Sequence, residues 1–238
     1  MPLFSTLDVI ALGYFIVAWV GYAYMTEHSR VSRTGLNALM NGYRVVWMRR
    51  MLVREQRMVD MQIMAALQNG TAFFATTSLF AIGGTLTILR ASDQMIAIAS
   101  HMPFAIETAR GLWEAKAIGL TVIFVYAFFK FAWSYRLYNY VAILLGATPP
   151  PAEKDTPEAE AHVLRTAGLF TTAGRHFNRG QRAFFFALGY LGWFAGPLVL
   201  IATTTVVVVV MWWRQYKSDS LRAVAGSETS PTPGGERR

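Results

Sequence analysis

The chain has 238 residues, of which 54% are hydrophobic and 14% aromatic, and its formal net charge at pH 7 is +8. Cysteine is absent, which excludes disulfide bonds, thiolate chemistry and cysteine-based metal sites. The basic charge could indicate nucleic-acid binding, but it is concentrated between two apolar segments, and no recognised binding motif accompanies it. We therefore expect a membrane protein with no nucleic-acid partner.

Four stretches are long and apolar enough to cross a bilayer, because a hydrocarbon core of about 30 Å needs roughly twenty helical residues. Backbone groups in lipid need partners within their own segment, so each stretch is expected to be a helix. The pattern predicts an all-α integral membrane protein, with four transmembrane helices in a bundle and a cytoplasmic interfacial amphipathic helix. The predicted membrane domain covers residues 1–216, with spans at 7–26, 66–90, 115–146 and 183–213.

The first span is expected to be retained in the mature protein. The opening sequence MPLFSTLD lacks the basic region of a signal peptide, and no small-residue cleavage site follows the apolar stretch. Ser5 and Asp8 have the spacing of a capping box, in which each residue satisfies a free backbone amide of the other. This spacing predicts the start of the first helix.

The segment between the first two spans is strongly basic and contains seven arginines: Arg30, Arg33, Arg44, Arg49, Arg50, Arg54 and Arg57. Basic loops stay in the cytoplasm, so with four spans both termini are predicted to be periplasmic. An amphipathic helix that ends or turns near Arg54 is predicted by the helical spacing of Leu36, Met40, Tyr43, Trp47 and Met51. Its expected partners are the lipid bilayer and anionic headgroups.

The second span contains NGTAFFATTSLFAIGGTLTIL, residues 69–89, which opens at Asn69 and carries no charge. Thr76 and Gly83 share one side of its helix, and Thr77 and Gly84 share an adjoining side. Small residues let helices approach closely in lipid, so we predict a contact surface here. A permeation lining is the alternative, although threonine hydroxyls can bond to carbonyls of their own helix and need no ligand.

From Ala117 to Gly146 the third span is apolar apart from two charges, Lys130 and Arg136. On a helical wheel Lys130 shares its side with Tyr126 and Ser134, which predicts that Lys130 faces the bundle interior. Arg136 ends an apolar stripe and is predicted to reach the headgroups from the cytoplasmic edge. The alternative for Lys130 is that it also extends toward the headgroups.

A Pro-rich connector, ATPPPAEKDTPEAEA, follows the third span and cannot be helical through its prolines. A short amphipathic helix is expected from Pro157, on which Glu158 and His162 would form a surface pair. At the other end of the chain, residues 217–238 have the composition of a disordered tail.

The fourth predicted span contains GYLGWFAGP. Gly192 and Gly196 form a G-x-x-x-G pair and are predicted to lie at a helix contact. Pro197 removes a backbone donor and is predicted to kink the span.

Signatures of enzyme chemistry are missing from the sequence. It has no Gly-rich phosphate loop, no G-x-S-x-G and no H-E-x-x-H, and its four histidines form no metal-binding pair with one another. The methionines near the second span are better explained by adaptable packing than by a metal site. We therefore predict no catalytic residue, no cofactor and no metal.

The stretch NGTAFFATTSLFAIGG, with Asp60 upstream, and the later GQRAFFFALGYLGWFAGP resemble a bacterial membrane family called domain of unknown function 599. The resemblance covers most of residues 5–215. It implies a bacterial inner-membrane protein, and it carries over no functional residue because the family has no assigned activity.

Two functions compete on these observations. The leading hypothesis is a non-enzymatic scaffold or regulatory membrane subunit that engages partners through its basic cytoplasmic loop, as a homo-oligomer or with an unknown membrane partner. The alternative is a small oligomeric transporter or channel with Lys130 near its path. A membrane-embedded enzyme is third.

Overall fold

A computed structural model describes residues 4–29, 32, 34–94, 97 and 109–225. These residues form helices and turns without a strand, which confirms the all-α fold class. The helices are α1 (Thr6–His28), α2 (Leu36–Leu52), α3 (Met58–Arg90), α4 (Arg110–Gly146), α5 (Pro157–Ala195), α6 (Pro197–Tyr216) and α7 (Asp219–Ala225). A 3-10 turn, Pro151–Glu153, lies in the Pro-rich connector.

Within the described residues, four helical segments are long and apolar enough to cross a membrane. They are α1, α3, α4 and the segment Pro197–Val224, which contains α6. The first three predicted spans fall within α1, α3 and α4, so the protein is a multi-pass membrane protein.

The first helix begins as the sequence predicts. The Ser5 hydroxyl accepts a hydrogen bond from the Asp8 backbone amide at 3.1 Å, and the Asp8 carboxylate accepts one from the Ser5 amide at 3.2 Å. The capping box is therefore confirmed.

Three helices are longer than a bilayer needs, with 33 residues in α3, 37 in α4 and 39 in α5. At a rise of 1.5 Å per residue they are about 50 to 58 Å long. α3 and α4 are antiparallel: the Thr121 hydroxyl donates to Thr85 Oγ1 at 2.8 Å, and Gln68 Nε2 donates to Asn139 Oδ1 at 2.7 Å. α5 packs antiparallel to α4 along most of its length, so the three helices extend beyond one side of the apolar layer.

The prediction of a single kinked span over residues 183–213 is wrong, because the chain reverses direction inside it. α5 ends at Ala195, Gly196 adopts a φ of 144°, and α6 begins at Pro197. Glycine tolerates this left-handed backbone, and proline has no amide hydrogen with which to continue α5. The uncharged run is long because it supplies both arms of a helical hairpin.

This reversal places the two described ends of the chain at opposite ends of the bundle. At one, which we call the aspartate end, Trp193 Nε1 donates to Asp8 Oδ1 at 2.8 Å. At the other, which we call the arginine end, Asn37 Nδ2 donates to Gln215 Oε1 at 3.3 Å. α1 and α6 thus run parallel, with α5 crossing the same layer in the opposite direction. The described start of α1 and end of α6 therefore lie at opposite ends of the bundle, whereas the prediction of two periplasmic termini counted an even number of crossings.

The predicted amphipathic helix corresponds to α2, which ends at Leu52, two residues before Arg54. Its buried residues Met48, Met51 and Leu52 pack in a core shared with α4 and the first half of α5. The Tyr43 side chain is half exposed. Protein therefore covers part of the face that was expected to meet lipid.

The interior has two apolar cores. One, in the apolar layer, is rich in aromatic rings, including Trp19 stacked on Phe186 with centroids 5.4 Å apart. The second lies beyond the arginine end, in the extension of α3, α4 and α5, and contains the buried Met48, Met51 and Met64. Flexible methionines fill the junction where α2 meets the three long helices.

The helix predicted from Pro157 is not short, since it continues as α5 for 39 residues. His162, predicted on the surface with Glu158, is buried and has its Nε2 3.3 Å from the Thr148 hydroxyl. Burial lowers the pKa of this imidazole. The surface prediction was wrong because the first half of α5 packs on the end of α4.

Part of the predicted disordered tail is helical, since Asp219–Ala225 forms α7. Residues 226–238 of that tail lie outside the described residues, as do Arg30 and Arg33 of the first loop.

Candidate anion-binding site

A row of polar and basic side chains follows one face of α5 at the arginine end. Arg175, Arg179 and Arg182 are spaced four and three residues apart, with Asn178 next to Arg179, which brings them to one side of the helix. This face meets the end of α1 and the start of α2, so the row forms one wall of a cleft between them.

One carboxylate from α1 binds two of these arginines. Arg179 Nε donates to both carboxylate oxygens of Glu27, at 3.0 and 3.1 Å, and Arg182 donates to Glu27 as well. Arg182 also donates to the Thr26 hydroxyl at 2.8 Å. The side chains of Glu27 and Arg182 are only 13% and 11% exposed, so this triad is largely shielded from water.

A further arginine approaches from α2. The guanidinium of Arg44 lies 4.8 Å from the centroid of the Phe170 ring and donates to Asn41. A side chain at Gly174 would come within 2.5 Å of this guanidinium, so the glycine leaves room for it. Burial lowers the pKa of Arg44, although arginine stays charged at any physiological pH.

The cleft has a volume of about 440 Å³. Its side chains are mostly polar: Thr26, Glu27, His28, Ser32, Asn37, Ala38, Asn41, Arg44, Thr171, Arg175, Asn178, Arg179 and Arg182. Among these described residues the only carboxylate is that of Glu27, against four arginines. A second hollow of about 230 Å³ shares Thr26, Asn37, Asn178 and Arg182 with the cleft and adds Arg214.

This arrangement can hold an anion. Guanidinium groups present forked donors that match the oxygens of phosphate and carboxylate groups, and hydrogen bonds between charged partners are the strong ones. Glu27 neutralises one of the four positive charges and leaves three. No group of three or more histidine, aspartate or glutamate side chains within the described residues could hold a metal ion.

The structure places Lys130 on the partly exposed side of α4, with its Nζ 5.0 Å from the Tyr126 ring centroid. Arg136 is exposed, and its Nε donates to the Tyr140 hydroxyl at 2.8 Å. Ser134, one helical turn further on, is fully buried, and its hydroxyl donates to the Ala173 carbonyl of α5 at 2.8 Å. The hydroxyl of Ser134 is therefore bonded to α5, whereas Lys130 lies at the partly exposed edge of the same side.

The predicted contact surface of α3 faces outward. Asn69, Thr76, Gly83 and Gly84 are exposed, and a Cβ added at either glycine would meet no atom within 4 Å. Thr77 is partly exposed and donates to the carbonyl of Phe73 in its own helix at 2.8 Å. The face that packs against the protein carries three buried hydroxyls instead, those of Thr71, Ser78 and Thr85.

The glycines of the fourth predicted span lie at the contact between α5 and α6. A Cβ on Gly192 would be 2.4 Å from the Thr203 hydroxyl and 3.0 Å from the Val199 carbonyl. Gly196 forms the reversal itself, and Pro197 is the first residue of α6.

Sequence reasoning missed Glu27, Arg179 and Arg182 as a group. The signal was in the segment GRHFNRGQR, residues 174–182, where arginines recur at helical spacing directly before an uncharged run. Glu27 is more than 150 residues away in sequence, and nothing in the sequence pairs it with α5.

The family profile described as "Protein of unknown function, DUF599" matches residues 10–220. This range includes Glu27, Arg44 and the arginines of α5. No curated protein and no solved structure matches the chain. Because the match covers most of its length, the chain belongs to the DUF599 family.

Proposed function

We propose that this protein is a non-enzymatic regulatory subunit of the bacterial inner membrane, and that its arginine-lined cleft binds a small soluble phosphate-bearing anion on the cytoplasmic side. One observation carries the proposal: four arginines from α2 and α5 surround a single carboxylate in one cleft. The cytoplasmic placement is supported by the arginines of the first loop, since basic segments are retained in the cytoplasm.

The lining of the cleft favours a soluble anion over a lipid. Apart from Ala38, its residues are polar or charged, so it offers no apolar track along which an acyl chain could lie. A ligand with several negative charges fits best, because Glu27 leaves a net excess of three positive charges among the lining residues.

A regulatory role follows from which helices meet at the cleft. α1, α2 and α5 contribute side chains to it, and α6 contributes to the adjoining hollow. An anion bridging Arg44 of α2 and Arg175 of α5 would fix these helices relative to one another, and a partner subunit could detect that change. Among the described residues, no contact supports the transport alternative, because Lys130 lies beside an open groove on the outside of α4.

The test is a titration of the purified protein in detergent with inorganic pyrophosphate, compared with sodium chloride at equal ionic strength. Binding to the folded state raises the thermal midpoint in proportion to the logarithm of ligand concentration. We expect pyrophosphate to raise the midpoint of the parent by several degrees at millimolar concentration and chloride to have little effect.

The matched variants are Arg44→Gln with Arg175→Gln in the cleft and Arg165→Gln on the exposed side of the same helix. The double variant should lose most of the pyrophosphate response, and the Arg165 variant should keep it. An unresponsive parent, or a double variant that responds like the parent, would contradict the proposal.

A further inference from the structure

A second basic group lies on the outside of the bundle, away from the cleft. It lines an open groove of about 550 Å³ formed by Phe129, Lys130, Ala132, Trp133, Arg136 and His176. The first five residues belong to α4, and His176 comes from α5. None of these lining residues carries a carboxylate, so the groove has an unbalanced positive charge.

Aromatic side chains hold the two cations of α4. Lys130 Nζ lies 5.0 Å from the Tyr126 ring centroid. The Arg136 guanidinium lies 5.8 Å from the centroid of Trp133 and bonds to the Tyr140 hydroxyl. Contacts of this kind orient a cation without neutralising it. His176 adds an imidazole to the lining of the groove, and its Nδ1 is buried without a hydrogen-bond partner among the described residues.

The groove lies at the boundary of the apolar layer. Phe131, next to Lys130, packs against Gly180 of α5, and Gly180 is next to Arg179. Arg179 binds Glu27, which follows the uncharged part of α1. Lys130 is therefore level with the charged residues that end the apolar layer, and Arg136 lies about 9 Å farther along the helix axis, outside that layer.

An apolar track leads from the groove back into the layer. Ile118, Val122 and Phe129 follow one side of α4 and are 52%, 61% and 64% exposed. The track extends about 16 Å at the helical rise of 1.5 Å per residue, which is the length of most of a phospholipid acyl chain. A basic headgroup site joined to an apolar track has the shape and polarity of a phospholipid.

We propose that this groove binds one anionic phospholipid. Its phosphate lies between Lys130 and Arg136, where His176 can donate a hydrogen bond, and an acyl chain follows Phe129, Val122 and Ile118. The site is separate from the polar cleft between α1, α2 and α5, which has no apolar track. It also differs from a general attraction of the basic first loop to an acidic membrane, because it predicts one lipid at one place.

The first experiment uses the unaltered protein. The protein is reconstituted in nanodiscs that contain phosphatidylglycerol with a photoactivatable diazirine in its acyl chain, irradiated, and mapped by peptide mass spectrometry. We expect adducts concentrated on the side of α4 that carries Ile118, Val122 and Phe129, and far fewer when the same chain is attached to phosphatidylcholine. Equal labelling by the two lipids, or adducts spread evenly over the apolar helices, would overturn the proposal.

The second experiment compares affinities. Phosphatidylglycerol in mixed micelles is titrated against the parent, Lys130→Gln with Arg136→Gln, and Lys154→Gln, which removes a positive charge from the Pro-rich connector. Bound lipid is counted by native mass spectrometry, which reads binding even if a variant is less stable. The double variant lacks two positive charges near the acidic headgroup, so it should bind about thirtyfold more weakly.

The outcomes separate the two sources of phosphate. Parent-like binding by the connector variant together with weakened binding by the double variant supports a lipid site. If glycerol phosphate without acyl chains competes at the concentration at which the lipid binds, the ligand is a soluble anion and the lipid proposal fails. It also fails if the double variant binds phosphatidylglycerol like the parent. Neither result bears on the cleft, whose lining includes neither Lys130 nor Arg136.

Discussion

The two ends of the bundle each bury a carboxylate near a cation, but their charge balance differs. At the aspartate end, Asp8 bonds to Trp193 and interacts electrostatically with Lys116, a buried lysine whose Nζ lies 5.5 Å from the Trp193 ring centroid. At the arginine end, Glu27 binds Arg179 and Arg182 while other arginines stand nearby.

This difference shows which end can accept another anion. One carboxylate and one ammonium at the aspartate end are mutually compensated, so an added anion would meet no excess charge. One carboxylate among four arginines at the arginine end leaves positive charge uncompensated. The aspartate end therefore has no uncompensated positive charge with which to bind an anion, whereas the arginine end has.

We expect the two ends to lie on opposite sides of the membrane. The accessibility of single introduced cysteines tests this directly, because the chain has no cysteine of its own. We expect a cysteine at Ala109, at the start of α4, to react with an impermeant maleimide in intact cells. Cysteines at Lys154 and at Ser220 in α7 should react only after permeabilisation. Labelling at positions 109 and 220 from the same side would contradict the placement of the two ends on opposite sides of the membrane.

Glu27→Gln should give the largest loss of stability, because it removes the shared partner of two arginines that are largely shielded from water. Removing one member of a buried ion pair leaves its partners uncompensated, and we expect a loss of about 2 to 4 kcal/mol in the free energy of unfolding. Pyrophosphate should raise the thermal midpoint of this variant more than that of the parent, since it can take the place of the lost carboxylate. A variant as stable as the parent would show that the triad is only a surface feature.

Asp8→Asn tests the other end. The amide can still accept from Trp193 but cannot compensate Lys116, so the expected loss is about 1 to 3 kcal/mol. Pyrophosphate should restore none of it, because the described cation beside Asp8 is Lys116 alone and the guanidinium of Arg110 is already paired with Asp93 and Glu114. Thermal denaturation with and without pyrophosphate measures both quantities, and restoration equal to that of Glu27→Gln would remove the distinction between the ends.

The sequence predicts local features of this fold well. The capping box of Ser5 and Asp8, the three spans in α1, α3 and α4, and the amphipathic helix α2 all depend on residues close together in the chain. Such features follow from helical periodicity and from the length of uncharged runs, which act locally.

The features that the sequence did not predict depend on tertiary contacts. A glycine followed by a proline in an uncharged run is compatible with a kink or with a reversal, and tertiary contacts such as that of Gly192 with Thr203 distinguish the two. The sequence did not indicate which side of α3 packs against α4, because small residues and hydroxyls occur on more than one side of this helix. The pairing of Glu27 with Arg179 joins two helices far apart in sequence, so periodicity within either helix cannot indicate it.

Lys130→Leu should have the smallest effect on stability. The sign of that effect distinguishes the predicted position of Lys130 in the bundle interior from the observed position on the partly exposed side of α4. A lysine facing the bundle interior would leave acceptors unpaired when replaced, and the variant would be destabilised. In the structure the described contact of its Nζ is with the Tyr126 ring at 5.0 Å, and such a contact is worth about 0.5 to 1 kcal/mol at an exposed site. Leucine at the boundary of the apolar layer regains a similar amount by meeting lipid.

We therefore expect a change of less than about 0.5 kcal/mol in detergent without acidic lipid, measured beside Phe129→Leu as a control for packing on the same helix. A loss of several kcal/mol would place Lys130 against interior groups and would revive the transport hypothesis, in which this lysine lies near the path.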